Sequence, residues 1–89
     1  MIHRALTIEG NVQGVFFRAS AKEKGDEFGI KGFVRNEPDG SVYIEAEGDD
    51  VSMQGFVSWC QKGPRHAHVT NVIIREGPLK NFSRFEILR

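Results

Sequence analysis

Leu6 and Ile8 alternate with Thr7 and Glu9, and this period of two predicts a half-buried strand over residues 2–9 that ends at Gly10. The period then changes. From Phe17, apolar positions recur at Ala21 and Phe28 among Lys22, Glu23, Lys24, Asp26 and Glu27, the pattern of an amphipathic helix. Gly29 stops it, because glycine accepts the left-handed conformation at a helix end and Ile30 can supply the accompanying apolar contact. Ser20 and Glu23 also fit a capping box, which leaves a later helix start open.

Residues 30–36 and 41–47 are two strand-like runs joined by Glu37-Pro38-Asp39-Gly40, a turn whose proline presets φ and whose glycine accepts positive φ. In the second strand of this hairpin Val42, Ile44 and Ala46 face one way and Tyr43, Glu45 and Glu47 the other, so one face is expected buried and one wet. Asp49 or Asp50 can cap a second helix, with Met53, Phe56, Val57 and Cys60 on one stripe and Gly63-Pro64 at its end. Strands over residues 67–75 and 82–88 follow, the latter with Phe85 and Ile87 on one side. The order β-α-β-β-α-β with a short terminal strand predicts an α+β, ferredoxin-like split βαβ fold, in which two helices cover one face of an antiparallel sheet.

Composition agrees with a sheet. Val and Ile number 15 against 3 Leu, a β-branched bias, and Ile, Val, Leu and Phe together number 25, enough apolar surface to fold. A chain of 89 residues is expected to form one domain over residues 1–89. The longest uncharged run, residues 51–61, is far short of the roughly 20 apolar residues of a membrane span. The first residues contain no apolar signal segment, so a cytoplasmic protein is expected. The single cysteine, Cys60, cannot form an internal disulfide. Twelve basic side chains balance twelve acidic ones, which removes the broad positive field of a non-specific nucleic-acid binder. Six acids without a base lie within residues 37–50, whereas residues 51–89 carry six bases and two acids; such segregation is ordinary solvated surface. A monomer is expected.

Residues 10–18, Gly-Asn-Val-Gln-Gly-Val-Phe-Phe-Arg, join the first strand to the first helix with two glycines, no acid and an arginine. Converging backbone N–H groups, the helix start and the planar fork of Arg18 suit an anion. A tight strand-to-helix turn with a surface arginine fits the same glycines. No Walker Lys-Ser/Thr pair is present. In the split βαβ fold the first two strands are parallel with the third between them, so their C-terminal ends lie about 10 Å apart on one edge. Asn36 ends the second strand, where its carboxamide can meet a water beside the loop or serve simply as a turn former.

Two motifs carry a family resemblance across nearly the whole chain. The first is Ile8-x-Gly10-x-Val12-Gln13-Gly14-Val15-x-Phe17-Arg18, and the second is Gly32-Phe33-Val34-Arg35-Asn36, three residues, Gly40-x-Val42, five residues and Gly48. Both resemble the signatures of the acylphosphatases. The resemblance implies a ferredoxin-like fold with a fifth short strand and hydrolysis of small acyl phosphates without metal or other cofactor. It implies Arg18 as phosphate ligand, Asn36 as the residue positioning water, and the N–H groups of Gly14, Val15, Phe16, Phe17 and Arg18 as the cradle of the phosphate. The chemistry is consistent: the leaving carboxylate, whose conjugate acid has a pKa near about 4, needs no general acid, and phosphoryl transfer asks mainly for positioning and charge stabilisation.

Other chemistries have weaker support. Cys60 precedes Arg65 by four intervening residues, one short of the C-x5-R loop of cysteine phosphatases, and lies on the apolar stripe of a helix. His66 and His68, with His3 as a remote third ligand, lack the carboxylate or thiolate cluster of a metal site. Lys31-Gly32-Phe33 opens like the RNA-reading strand of an RRM, but residues 2–9 hold no aromatic and Tyr43 is followed by Glu45 and Glu47. A non-catalytic binding module of acylphosphatase type is the remaining alternative.

Overall fold

In a computed structural model that describes residues 1–89, the chain runs β1 (Ile2–Asn11), α1 (Phe17–Phe28), β2 (Lys31–Asn36), β3 (Val42–Gly48), α2 (Asp50–Lys62), β4 (His68–Gly77) and β5 (Phe85–Ile87). The strands form one sheet in the order β4-β1-β3-β2-β5. β3 is antiparallel to both β1 and β2, so these two run the same way with β3 between them. β4 is antiparallel to β1, and the short β5 is added parallel to β2. The result is the expected ferredoxin-like α+β fold.

Each element has a local cause. β1 outlasts its expected end at Gly10, because a register shift between Glu9 and Gly10 lets pairing with β4 resume as far as Asn11 and His68. α1 starts at Phe17 rather than at Ser20, whose N–H already donates to the Phe16 carbonyl at 3.0 Å. It ends in a Schellman arrangement, with Gly29 N–H donating to Asp26 O and Ile30 N–H to Gly25 O. α2 is capped by Asp49, whose carboxylate accepts from Ser52 N–H at 2.8 Å. Phe17 and Ala21 of α1 and Met53, Phe56 and Cys60 of α2 share one core with the inward side chains of the sheet, such as Ile44. Gly55 sits mid-helix against the Phe28 ring of α1: a Cβ there would stand 2.7 Å from Phe28 Cε1, so a larger residue would force that ring to move.

The outer face of the hairpin departs from expectation. Tyr43, Glu45 and Glu47 were expected in water, yet Glu45 is 8% and Glu47 2% exposed. The reason is topological. β4 and β5 occupy opposite edges of the sheet, so the chain between them must cross the face that the helices leave open. Its Lys80 and Phe82 N–H groups donate to the Glu47 carboxylate, and the Phe82 ring lies 6.0 Å from that of His3. The crossing also shortens the last strand, which starts at Phe85 instead of residue 82.

Candidate active site

The loop after β1 reaches α1 through two residues with left-handed backbone. Gly14 has φ 74° with open space around it, so the conformation rather than crowding calls for glycine. Phe16 caps α1 with φ 64° and ψ 24°, a conformation that costs a non-glycine residue about 1–2 kcal/mol. Its neighbour Phe17 is 2% exposed and packs 5.4 Å from the Trp59 ring, which anchors the far end of the loop. Phe16 itself is 78% exposed. No side chain caps the helix and no acid occupies its first turn, so the N–H groups around the helix start have no acceptor within the protein and face outward with the positive end of the helix dipole.

A pocket of about 300 Å³ opens at this end of the sheet. Gly14, Phe16, Phe17 and Arg18 line it from the loop and α1, and Asn36 lines it from the end of β2. The two candidate residues, 18 positions apart in sequence, therefore share one cavity. Val15 packs half-buried against the core and does not line the pocket. Arg18 Nη1 stands 3.5 Å from the Leu88 carbonyl, a long contact that restrains the guanidinium while leaving most of its donors unused. Leu88 is itself fixed, since its N–H donates to the Val34 carbonyl at 2.9 Å beyond the β2–β5 ladder. The Asn36 carboxamide has no protein partner, in contrast to the adjacent Arg35, whose Nε donates to Glu37. A second arginine, Arg89, also lines the pocket, and no Asp, Glu, His or Cys does.

Gln13 is the residue whose role the sequence did not disclose. Its Nε2 donates to the carbonyls of Glu37 at 2.8 Å and Ser41 at 2.9 Å, bridging the loop to the turn that follows Asn36. A glutamine between two glycines was the available signal, but its partners lie 24 and 28 residues away.

The alternative groups lie elsewhere. Cys60 is fully buried in the core, and burial pushes its thiol well above the ordinary range, the reverse of an activated nucleophile. His66 and His68 are exposed, whereas His3 is buried with Nδ1 donating to Glu47 at 2.7 Å and Nε2 3.3 Å from Glu45. The three histidines do not meet, and the two carboxylates engage different nitrogens of the one ring. On the outer face the Arg35 guanidinium lies 4.9 Å from the Tyr43 ring centre and 5.6 Å from that of Phe33, covering the aromatic surface a base would stack on. Burial, together with a hydrogen bond donated to Glu45, pushes the Tyr43 hydroxyl up to about 12.

Burial would raise both outer-face carboxyls, but their partners outweigh it. Glu47 accepts from the Lys80 and Phe82 N–H groups and from His3 and is held below its usual range. Glu45 is likewise held low by the Lys80 ammonium, 2.8 Å from Oε1, and by the Tyr43 hydroxyl, although no donor is aligned for a hydrogen bond to that oxygen. This cluster fastens the crossing segment to the sheet and takes no part in lining the pocket.

Comparison with known proteins agrees with this fold. The acylphosphatase family profile matches residues 4–87. An acylphosphatase of Nocardioides sp. is 45% identical over 82 residues, covering 92% of this chain and 83% of the relative. The crystal structure of acylphosphatase from Bacillus subtilis superposes with a TM-score of 0.97 at 33% identity, covering all of both chains. Full-length HypF, in a phosphate- and nucleotide-bound form, matches with a TM-score of 0.88 at 26% identity over 99% of this chain and 12% of its own. With its family profile, its relatives and its fold in agreement, this chain belongs to the acylphosphatase family.

Proposed function

We propose that this chain hydrolyses the carboxyl–phosphate bond of small acyl phosphates without a metal, using Arg18 and the loop N–H groups to hold the phosphate and Asn36 to position the attacking water. The acylphosphatase activity follows from family membership. The observation that carries the mechanism is the common pocket of Arg18 and Asn36, next to uncapped N–H groups at the start of α1. The N–H groups of Gly14, Val15, Phe16, Phe17 and Arg18 and the guanidinium fork stabilise the charge on the phosphoryl oxygens. The Asn36 carboxamide accepts from a water and orients its lone pair toward phosphorus. The bond between phosphorus and the carboxyl oxygen breaks as the bond to the water oxygen forms. The carboxylate leaves with the bonding pair and needs no proton, and the water's proton passes to a phosphate oxygen, giving carboxylate and dihydrogen phosphate from the acyl phosphate dianion and water.

The pocket wall holds no Asp, Glu, His or Cys, so its side chains offer no general base and no ligand set for Mg²⁺ or Zn²⁺. The chain is proposed to work as a single domain over residues 1–89, as a monomer in the cytoplasm, with no nucleic-acid partner. Its balanced charge supports the last point, and no helix is long and apolar enough to cross a membrane. The alternative of a phosphate-binding module, suggested by the match to part of HypF, leaves Asn36 without a purpose beside the phosphate site. An assay of the purified chain with an acyl phosphate in excess EDTA tests the proposal. Turnover that persists is the expected outcome; loss restored by added metal overturns the mechanism, and no turnover under any condition favours the binding module.

A further inference from the structure

Phe16 is held at a double disadvantage. Its backbone is left-handed, and the only other non-glycine residue with positive φ is Asn81, a type that tolerates this conformation far better. Its ring is also 78% exposed, outside the core and paired with no other aromatic. Glycine or asparagine would satisfy the turn without either drawback. A strained residue carrying an unused apolar side chain points to a function for that side chain rather than for the turn.

The location supplies the function. Phe16 lines the same pocket as Arg18 and Asn36, and Val12, Ala19 and Ile87 add apolar wall around it. An acyl phosphate has two parts, a phosphate and an acyl group. With the phosphate against the loop N–H groups and Arg18, the acyl group cannot occupy the same polar corner and must extend along the rest of the pocket. We infer that the exposed ring of Phe16 is the acyl-group platform of this enzyme, selecting acyl phosphates with an aromatic or extended apolar acyl group over those with a short one. The inference rests on the proposed activity for its substrate class. A flat ring offers stacking to an aromatic acyl group and contact area to an aliphatic chain, whereas a methyl group covers little of it. Because the contact lies on the substrate and not on the transferring phosphoryl group, it acts as remote binding energy and belongs in kcat/KM.

The test compares benzoyl phosphate with acetyl phosphate on the wild-type chain, Phe16→Asn and Phe16→Tyr, reading the ratio of the two kcat/KM values. Asparagine tolerates the left-handed backbone without a ring, and tyrosine keeps the ring. Wild type is expected to favour benzoyl phosphate about tenfold or more, Phe16→Tyr to keep that ratio and Phe16→Asn to bring it to within about twofold of unity. A wild-type ratio near unity, a ratio unchanged in Phe16→Asn, or a ratio lost equally in Phe16→Tyr overturns the platform. The non-hydrolysable probes benzoylphosphonate and acetylphosphonate, titrated calorimetrically against the same proteins, give the corresponding ratio of affinities without turnover. A chain that hydrolyses neither acyl phosphate yet prefers benzoylphosphonate in a Phe16-dependent manner refutes the activity and retains the platform, whereas equal affinities refute the platform.

Discussion

The side-chain amide of Gln13 donates to the carbonyl of Glu37 at 2.8 Å, so the loop proposed to present the phosphate donors is fastened to the turn immediately beyond Asn36. A second bond to Ser41 at 2.9 Å makes the tether two-pronged. Loop and strand end come from different strands with β3 between them, and this bridge fixes their separation. Gln13→Ala is expected to lower stability by about 1–2 kcal/mol, since two part-buried carbonyls lose a donor. It is also expected to lower kcat/KM by about tenfold through misplacement of the loop relative to Asn36. Urea unfolding and steady-state kinetics on one preparation measure both; normal kinetics in a destabilised protein would confine Gln13 to a structural part.

Arg18 and Asn36 are expected to separate by role, with inorganic phosphate as the probe. In the proposed mechanism Arg18 contacts the phosphate in ground and transition states alike, so Arg18→Ala should weaken phosphate binding and abolish turnover together. Asn36→Ala should keep phosphate affinity within a few-fold while kcat falls on the order of 10², comparable to removing another positioned polar group. Calorimetric titration beside kinetics reads both quantities. Phosphate binding lost as severely in Asn36→Ala as in Arg18→Ala would make the asparagine a ligand.

The Glu47 cluster sets an acid limit on stability. Its carboxyl sits below the usual 4.5 in the folded protein because Lys80, His3 and Phe82 donors overcome the effect of burial. A depressed folded value stabilises above the unfolded one, so the contribution is complete at neutral pH and is lost as pH falls below about 4.5 toward the folded value. The urea midpoint is expected to hold down to about pH 5 and then decline. Glu47→Gln should cost about 2 kcal/mol at neutral pH and flatten the acid decline. An equally steep decline in the variant would assign acid sensitivity to other carboxylates.

Cys60→Ser should fold less stably by about 1–3 kcal/mol, because a hydroxyl in this apolar core finds no partner. Its kcat/KM should equal that of wild type within twofold, roughly the precision of such a comparison. Inactivation of a folded Cys60→Ser protein would revive the cysteine nucleophile.

Local periodicity made the elements legible. The alternation of Val42, Ile44 and Ala46, the stripe of Met53, Phe56 and Cys60, and the stop at Gly29 each correspond to a buried face or an observed end. That Arg18 and Asn36 share one pocket was legible because signature residues flank the two strand ends that the topology brings together. The wet face assigned to Glu45 and Glu47 failed for the opposite reason. Nothing within the hairpin indicates that a segment some 33 residues downstream of Glu47 will lie across it and supply its hydrogen bonds. Gln13 escaped in the same way, since a side chain bonded to distant backbone carbonyls leaves no periodic trace.

The strand order has a kinetic consequence. Apart from the β2–β3 hairpin, neighbouring strands come from distant parts of the chain: Ile2 opposes Gly48, His3 opposes Gly77, and Gly32 opposes Phe85. Loop closure must precede most of these contacts, which places folding toward the slow end for small proteins, roughly milliseconds to seconds. The pocket draws side chains from Val12 through Arg89, so no early intermediate holding only the hairpin and one helix can contain it. Returning hydrolysis after dilution from denaturant therefore counts completely folded molecules, a more stringent clock than the recovery of helix or sheet signal.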